Sequence, residues 1–448
     1  MTHNPPETWV KVTQADLNDI AARHGRFRRG IEGGIKAVLA FHDLSNLDLS
    51  GLDLNGADLT GALLRGAQAI GVQLREAVLY GADLRLASLQ YADLSHADLR
   101  GCCFRGSDLT GACLSEANFR EGSLARRDRS NGIAMVVSPV ELVGAKLRGA
   151  NLAATRMAGT LAMQVDLTDA VLTGARLVRS DFRNANLTGA VLERAELDDV
   201  NLSGALMHGA VLRGAHLRAV RLEGADLLGA VFDGETLALA QGAKNLPRSL
   251  ATLPIPLDAL LAEHRVWLES RGVEGKRLEL AGYDLTATDM AGLDLSGAVL
   301  LNCVLSRARF DDAILTLVDL SMSDLEGASL RGCDLRAATL RRTFLAGADL
   351  TQANLESVRL SGAAGGQLMT SDLERARLWG ATLCGARMRR ARLIGAELMG
   401  ADLSHADLRD TDLQDANFTD AVMTGLDLTD AKTAAARGLV RSNPVPAP

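Results

Sequence analysis

A leucine recurs at every fifth residue through Leu44, Leu49, Leu54, Leu59 and Leu64, and this period excludes both regular elements. An amphipathic helix spaces its apolar residues by three and four, and a half-buried strand alternates them. Two places before the leucine stands a small residue (Ala57, Ala62, Ala67), often preceded by glycine (Gly56, Gly61, Gly66). A unit of five can hold three extended residues and a two-residue turn. In the extended part the small residue and the leucine face one way, and the residue between them faces the other. That middle residue is Asp48, Asp53, Asp58, Asp83, Asp93 or Asp98, which belongs in water. The turn needs a residue tolerant of positive φ, which glycine supplies. Repetition of strand and corner builds a polygonal coil with leucines stacked along its axis.

Dozens of such units in phase resemble the pentapeptide-repeat protein family, whose motif is A(D/N)LXX. The resemblance implies an all-β solenoid: a right-handed quadrilateral β-helix with four pentapeptides in each coil and coils stacked about 4.8 Å apart. In this sequence a long non-repeat break divides the repeats into two tandem rods, each expected behind a short α-helical cap.

Residues 1–43 precede the repeat. Asp16 to Arg28 reads as a short amphipathic helix with Leu17, Ile20, Ala21 and Phe27 near one face, covering the open end of the coil. The first repeat domain spans 44–237, with a loop insertion at 125–141 where Leu124 and Leu142 fall out of phase by three. Residues 238–279 form a linker and second cap, with a helix expected from Leu257 to Ser270. Leu257-x-x-Leu260, His264-x-x-Trp267 parallels Leu17-x-x-Ile20, His24-x-x-Phe27, which marks a duplicated module of helical cap plus β-helix. The second repeat domain spans 280–431 with a three-residue slip at 363–367, and 432–448 is a Pro-rich tail.

A net charge of −7 gives no strong attraction to nucleic acid and no polyanionic surface. The first residues lack a basic segment followed by an apolar one, and no run of 18 apolar residues occurs, so a cytoplasmic protein without membrane contact is expected. Cys102, Cys303 and Cys333 fall at the inward small-residue position, and Cys103, Cys113 and Cys384 at outward ones. None has metal-ligand spacing, so all six read as reduced thiols.

On a coil of 20 residues, charges that cluster in the linear sequence become cross-strand ion pairs. Arg377 stacks on Glu397, Arg387 on Asp407, Arg390 on Asp410, Arg176 on Glu196, and Arg392 between Asp372 and Asp412. His96 falls between Glu76 and Glu116. One stack does not cancel: Arg65, Arg85 and Arg105 are each 20 apart, with Arg126, Arg127 and Arg129 following in the loop. With the apolar Ile133, Met135, Val136 and Val137 of the same loop, these are the candidate partner-binding residues.

No phosphate-binding glycine loop, zinc-protease helix motif or nucleophile elbow occurs, and a Leu/Ala interior leaves no substrate cavity. No catalytic residue, metal, cofactor or small-molecule substrate is expected. The chain reads as a non-catalytic protein–protein interaction scaffold. The alternatives are a DNA mimic that regulates or protects DNA gyrase, as the resemblance suggests, and an effector or secretion-associated adaptor.

Overall fold

The computed structural model describes residues 9–127, 133–233, 238, 240, 242–360 and 367–439. The chain divides into two units, Met1–Leu227 with Phe232–Lys244, and Leu228–Val231 with Asn245–Pro448.

The first unit opens with helix α1, Gln14–Arg28, started by a capping box in which Thr13 and Asp16 exchange backbone and side-chain hydrogen bonds. Its buried stripe is Leu17, Ala21 and His24, spaced by four and three. Phe27, expected on that face, is 48% exposed. It lies off the stripe, and His24 takes its place.

Parallel bridges then join each outward residue to the one 20 further on, in four columns. Asp58, Val78, Asp98 and Asn118 form one, and Asp43, Leu63, Asp83 and Cys103 the next. A third holds Asp48, Gln68, Ser88 and Asp108, and a fourth Asp53, Gln73, Asp93 and Cys113. Four five-residue units therefore make one coil, and the repeat is of β-helix type. Each rung is ordinary parallel-strand bonding: Leu59 N donates to Val78 O at 2.7 Å, and Val78 N to Ala57 O at 2.9 Å. The corner closes through Ala62 N to Leu59 O at 3.0 Å. Ala57, Leu59, Ala62 and Leu64 are at most 1% exposed, so the inward positions form the core. Burying a leucine there contributes roughly 1.5–3 kcal/mol, repeated at every unit.

The recurrent aspartate does more than face water. Its Oδ1 accepts the amide two residues on: Ser45 N to Asp43 at 3.0 Å, Thr60 N to Asp58 at 3.0 Å, Ser95 N to Asp93 at 3.0 Å. This Asx-type bond caps the corner, which is why Asp or Asn suits that position.

The corner residue itself has positive φ, +71° at Gly56 and +63° at Gly61. Where it is not glycine, its side chain often lies over a glycine in the following coil, as Phe41 does over Gly61 and Asn184 over Gly204. A Cβ added at Gly61 would come 2.5 Å from the Phe41 ring.

At 125–141 the column passes from Cys103 to Glu141. The excursion is an antiparallel hairpin, Gly122–Arg127 with Ile133–Ser138. Leu124, counted above as the last leucine of the first run, is in this hairpin opposite Val136, because the strand leaves the coil at Gly122.

The second unit contains helix α2, Leu257–Glu269, which buries His264. Bridges of the same kind run from Asp284↔Val304 to Asn417↔Arg437, around a core that includes Leu300, Phe310, Leu355 and Phe418. Thr339 bridges to Asp372 instead of a residue 20 on. The slip expected at 363–367 is thus a second hairpin, Val358–Leu360 with Gln367–Met369. Residues 361–366, which include most of that slip, lie outside the described residues.

Candidate functional site

Arg65, Arg85 and Arg105 occupy the same corner in consecutive coils: Gly66 N donates to Arg85 O at 3.0 Å and Leu86 N to Arg105 O at 3.1 Å. Each guanidinium meets a carboxylate. Arg65 Nε donates to Asp83 Oδ2 at 2.5 Å, and Arg85 chelates the same Asp83 through Nε at 2.8 Å and Nη2 at 2.6 Å. Arg105 Nη1 lies 3.5 Å from Glu141 Oε2. The ladder therefore carries counter-charge, but two guanidinium groups share one carboxylate, and the arginine side chains stay 40–57% exposed. Burial pushes the Asp83 carboxyl up, against the hydrogen bond from Arg65 that pulls it down.

Within the hairpin, Arg126 stands opposite Ala134, Arg127 opposite Ile133, Met135 opposite Ala125, Val136 opposite Leu124 and Val137 opposite Ser123. Val137 is 54% exposed. Arg129 lies outside the described residues. The hairpin base is clamped to the coil. Tyr80 Oη accepts Ser123 N at 2.5 Å and donates to Ser123 O at 2.9 Å. The Arg100 guanidinium covers the Tyr80 ring at 5.0 Å, itself held by Asp98 at 2.6 Å. Gly101 and Gly122 approach so closely that a Cβ on Gly101 would meet Gly122 Cα at 3.1 Å. The hairpin and the arginine ladder spring from neighbouring corners of the coil, separated by the face carrying Asp83 and Cys103.

Elsewhere two patterns recur among the ion pairs. Some bridge coils as the 20-residue stacking requires: Arg176 to Glu196 at 2.8 Å, Arg390 to Asp410 at 3.6 Å, Arg377 to Glu397 at 4.0 Å and His96 to Glu116 at 3.4 Å. Others stay within one corner, where an arginine two residues after the aspartate chelates it, as Arg183 does Asp181 and Arg409 does Asp407, at 2.7 and 2.6 Å. Asp407, expected to pair with Arg387, is taken by Arg409 in this way, and the pairing holds its carboxyl below the usual range. Arg392 meets Asp372 at 3.5 Å and Glu374 at 2.9 Å, while Asp412 pairs with Lys432 at 3.5 Å.

Two surface residues escaped the sequence reading. Leu86 and Tyr91 are 72% and 66% exposed, more than any other large apolar side chain described in the first unit. Both sit at positive φ, +58° and +59°, where bulky side chains are strained. The signal was present: Leu86 stands between Gly66 and Gly106 in its column, and Tyr91 between Gly71 and Gly111.

Cys102, Cys303 and Cys333 are buried and Cys103, Cys113 and Cys384 partly so. Among the described residues no cluster of His, Cys, Asp or Glu is arranged to hold a metal, and no helix is long and apolar enough to cross a membrane.

Pentapeptide repeats are matched in overlapping segments that together run over 43–124, 140–234, 284–363 and 371–432. Among solved structures, a pentapeptide repeat protein, Rfr23 from the cyanobacterium Cyanothece 51142, is 28% identical over 29% of this chain and 86% of its own, with a TM-score of 0.23. HetL, involved in heterocyst differentiation regulation in Nostoc, is 20% identical over 93% of this chain and 97% of its own, with a TM-score of 0.16. QnrB1, a plasmid-mediated fluoroquinolone resistance protein, is 18% identical over 46% of this chain and 95% of its own, with a TM-score of 0.25. No curated protein matches the chain.

Proposed function

The chain belongs to the pentapeptide-repeat family, and from that premise we propose that it is a non-catalytic scaffold that binds protein partners through the outer surface of its coils. In this reading each unit is a right-handed quadrilateral β-helix behind a helical cap, and the first unit carries the principal binding surface. One observation carries the reading: a hairpin is held out from an otherwise regular coil by a dedicated clamp of Tyr80, Arg100, Gly101 and Gly122. A coil needs no such excursion to stack, and the apolar run Ile133–Val137 makes up most of its second strand. The interior is filled by Leu and Ala side chains, which supports a role without a substrate.

Deleting Ile133–Val137 should abolish affinity capture of the partner and leave the far-ultraviolet dichroism unchanged. Retained capture would overturn the hairpin's role, and lost β signal would show that the hairpin is structural.

A gyrase-directed DNA mimic is the weaker reading. Such a surface would need carboxylates free of counter-charge, and Asp407, Asp410 and Asp412 pair with Arg409, Arg389 and Lys432. A supercoiling assay separates the two: inhibition or protection of gyrase at micromolar protein would favour the mimic.

A further inference from the structure

The corner positions of this repeat are mostly glycine or polar side chains; in the first unit the large apolar residues at positive φ are Phe41, Leu86 and Tyr91, and Leu86 and Tyr91 fall in one coil. They stand at the two ends of a single coil edge, Leu86 at one corner and Tyr91 at the next. The residues between them alternate: Ala87 and Leu89 are buried, while Ser88 and Gln90 are half-buried, with the Gln90 carbonyl oxygen enclosed. Below, Ile70 adds a third apolar group, 45% exposed. Leu86 lies over Gly106 and Tyr91 over Gly111, contacts of 3.0 and 2.7 Å to where a Cβ would stand, so both side chains have a fixed place on the surface. A leucine and a tyrosine held at positive φ cost on the order of 1 kcal/mol each relative to glycine. Stacking on the next glycine accounts for their position but leaves most of each side chain in water. Polar corner residues such as Asn184 and Asp312 cover glycines equally well, so the fold does not ask for apolar groups here.

Along the corner that holds Leu86 runs the arginine ladder. Arg65, Arg85 and Arg105 are spaced by one coil, about 4.8 Å. Each guanidinium has five N–H donors; the side chains are 54%, 40% and 57% exposed, and Arg65 and Arg85 share Asp83. Asp43 adds counter-charge to Arg65, and the exposed N–H donors of the three guanidinium groups stand beside an apolar step.

From this juxtaposition we propose that the coil face between Leu86 and Tyr91 is a docking site for an extended segment of a partner protein that combines apolar side chains with carboxylates. The apolar groups sit between Leu86, Ile70 and Tyr91, and the carboxylates meet the exposed donors of Arg65, Arg85 and Arg105. The proposal rests on the scaffold reading above and assigns it a second surface, distinct from the hairpin.

The test is selection of a phage-displayed library of random peptides on the intact chain, followed by titration of the selected synthetic peptides. Two variants are compared with the wild type. Leu86→Asn with Tyr91→Asn keeps side chains that tolerate positive φ and removes the apolar groups. Arg65→Gln with Arg85→Gln and Arg105→Gln removes the charge. Selected peptides should carry Asp or Glu beside Leu, Phe or Tyr, bind the wild type, and weaken about tenfold or more on either variant. Binding should also weaken as salt rises from about 0.05 to 0.5 M. Thermal midpoints within a few degrees of wild type establish that the variants are folded. Peptides that bind both variants as well as wild type overturn this site and leave the scaffold reading standing. Recovery of no peptide, or of basic peptides, overturns the site as well. Retention of the wild type by anionic phospholipid vesicles, lost in both variants, would replace the peptide by a lipid surface and overturn the proposal.

Discussion

Nδ1 of the buried His264 accepts the backbone amide of Leu278 at 3.0 Å, tying helix α2 to the residue that leads into the strand Glu279–Ala281. The first unit repeats the device, with Nδ1 of His24 accepting Ala37 N at 3.0 Å. Each imidazole also stacks on the aromatic residue three further on, Trp267 at 5.5 Å and Phe27 at 6.1 Å. An accepting Nδ1 requires the neutral ring, so the bond to Leu278 depends on His264 remaining unprotonated.

Burial pushes the His264 imidazole below its ordinary range, reinforced by Arg277 and opposed by Asp294. The unfolded chain therefore takes up this proton first, at about pH 6.5. Stability from this group is fully present above that value and is lost as pH falls towards the folded-state value. The urea midpoint of the second unit should fall as pH is lowered below about 6.5. His264→Asn, which keeps an acceptor near the Nδ1 position, should flatten that dependence. An unchanged slope would refute the assignment.

Two leucines three residues apart should respond oppositely to truncation. Leu89 is fully buried and Leu86 is 72% exposed. Leu89→Ala should cost about 2–5 kcal/mol, the range for a cavity in a packed core. Leu86→Ala should stay within about 0.5 kcal/mol, as surface changes do. Denaturant unfolding of the two variants measures the contrast directly.

Tyr80→Phe removes the hydroxyl that meets both the amide and the carbonyl of Ser123. The loss should be about 0.5–1.5 kcal/mol per bond and should be local to the hairpin. Hydrogen exchange of the amides in 122–127 and 133–138 should accelerate while the coil amides keep their protection. Equal acceleration across the coil would mean that the hairpin and coil open together.

Thiol labelling at about pH 8 should sort the cysteines by burial. Burial raises Cys102, and it pushes Cys333 up to about 12 and Cys303 and Cys103 to about 11. Cys102, Cys303 and Cys333 should resist maleimide until the protein is unfolded. Cys113, partly exposed, should label in the native state. Native labelling of Cys333 at the rate of Cys113 would contradict the inward placement.

The linear sequence by itself determined the repeat, the inward and outward positions, and the 20-residue stacking. These follow from a backbone period that every unit restates, so Asp58 over Val78 or Arg377 over Glu397 could be read from numbering alone. The three cysteines inside the core, Cys102, Cys303 and Cys333, were legible for the same reason. Tertiary structure decided what no period encodes. Asp83 has two arginine suitors, and corner geometry gives it both; Asp407 goes to Arg409 two residues on rather than to Arg387 in the neighbouring coil. His24, not Phe27, lies on the buried helix face, where it accepts the buried amide of Ala37. The aspartate that looked merely water-facing proved to cap the corner, and the phase slips proved to be hairpins whose strands pair with each other. Periodicity fixes which residues share a column; side-chain reach and hydrogen-bond satisfaction fix which of them meet.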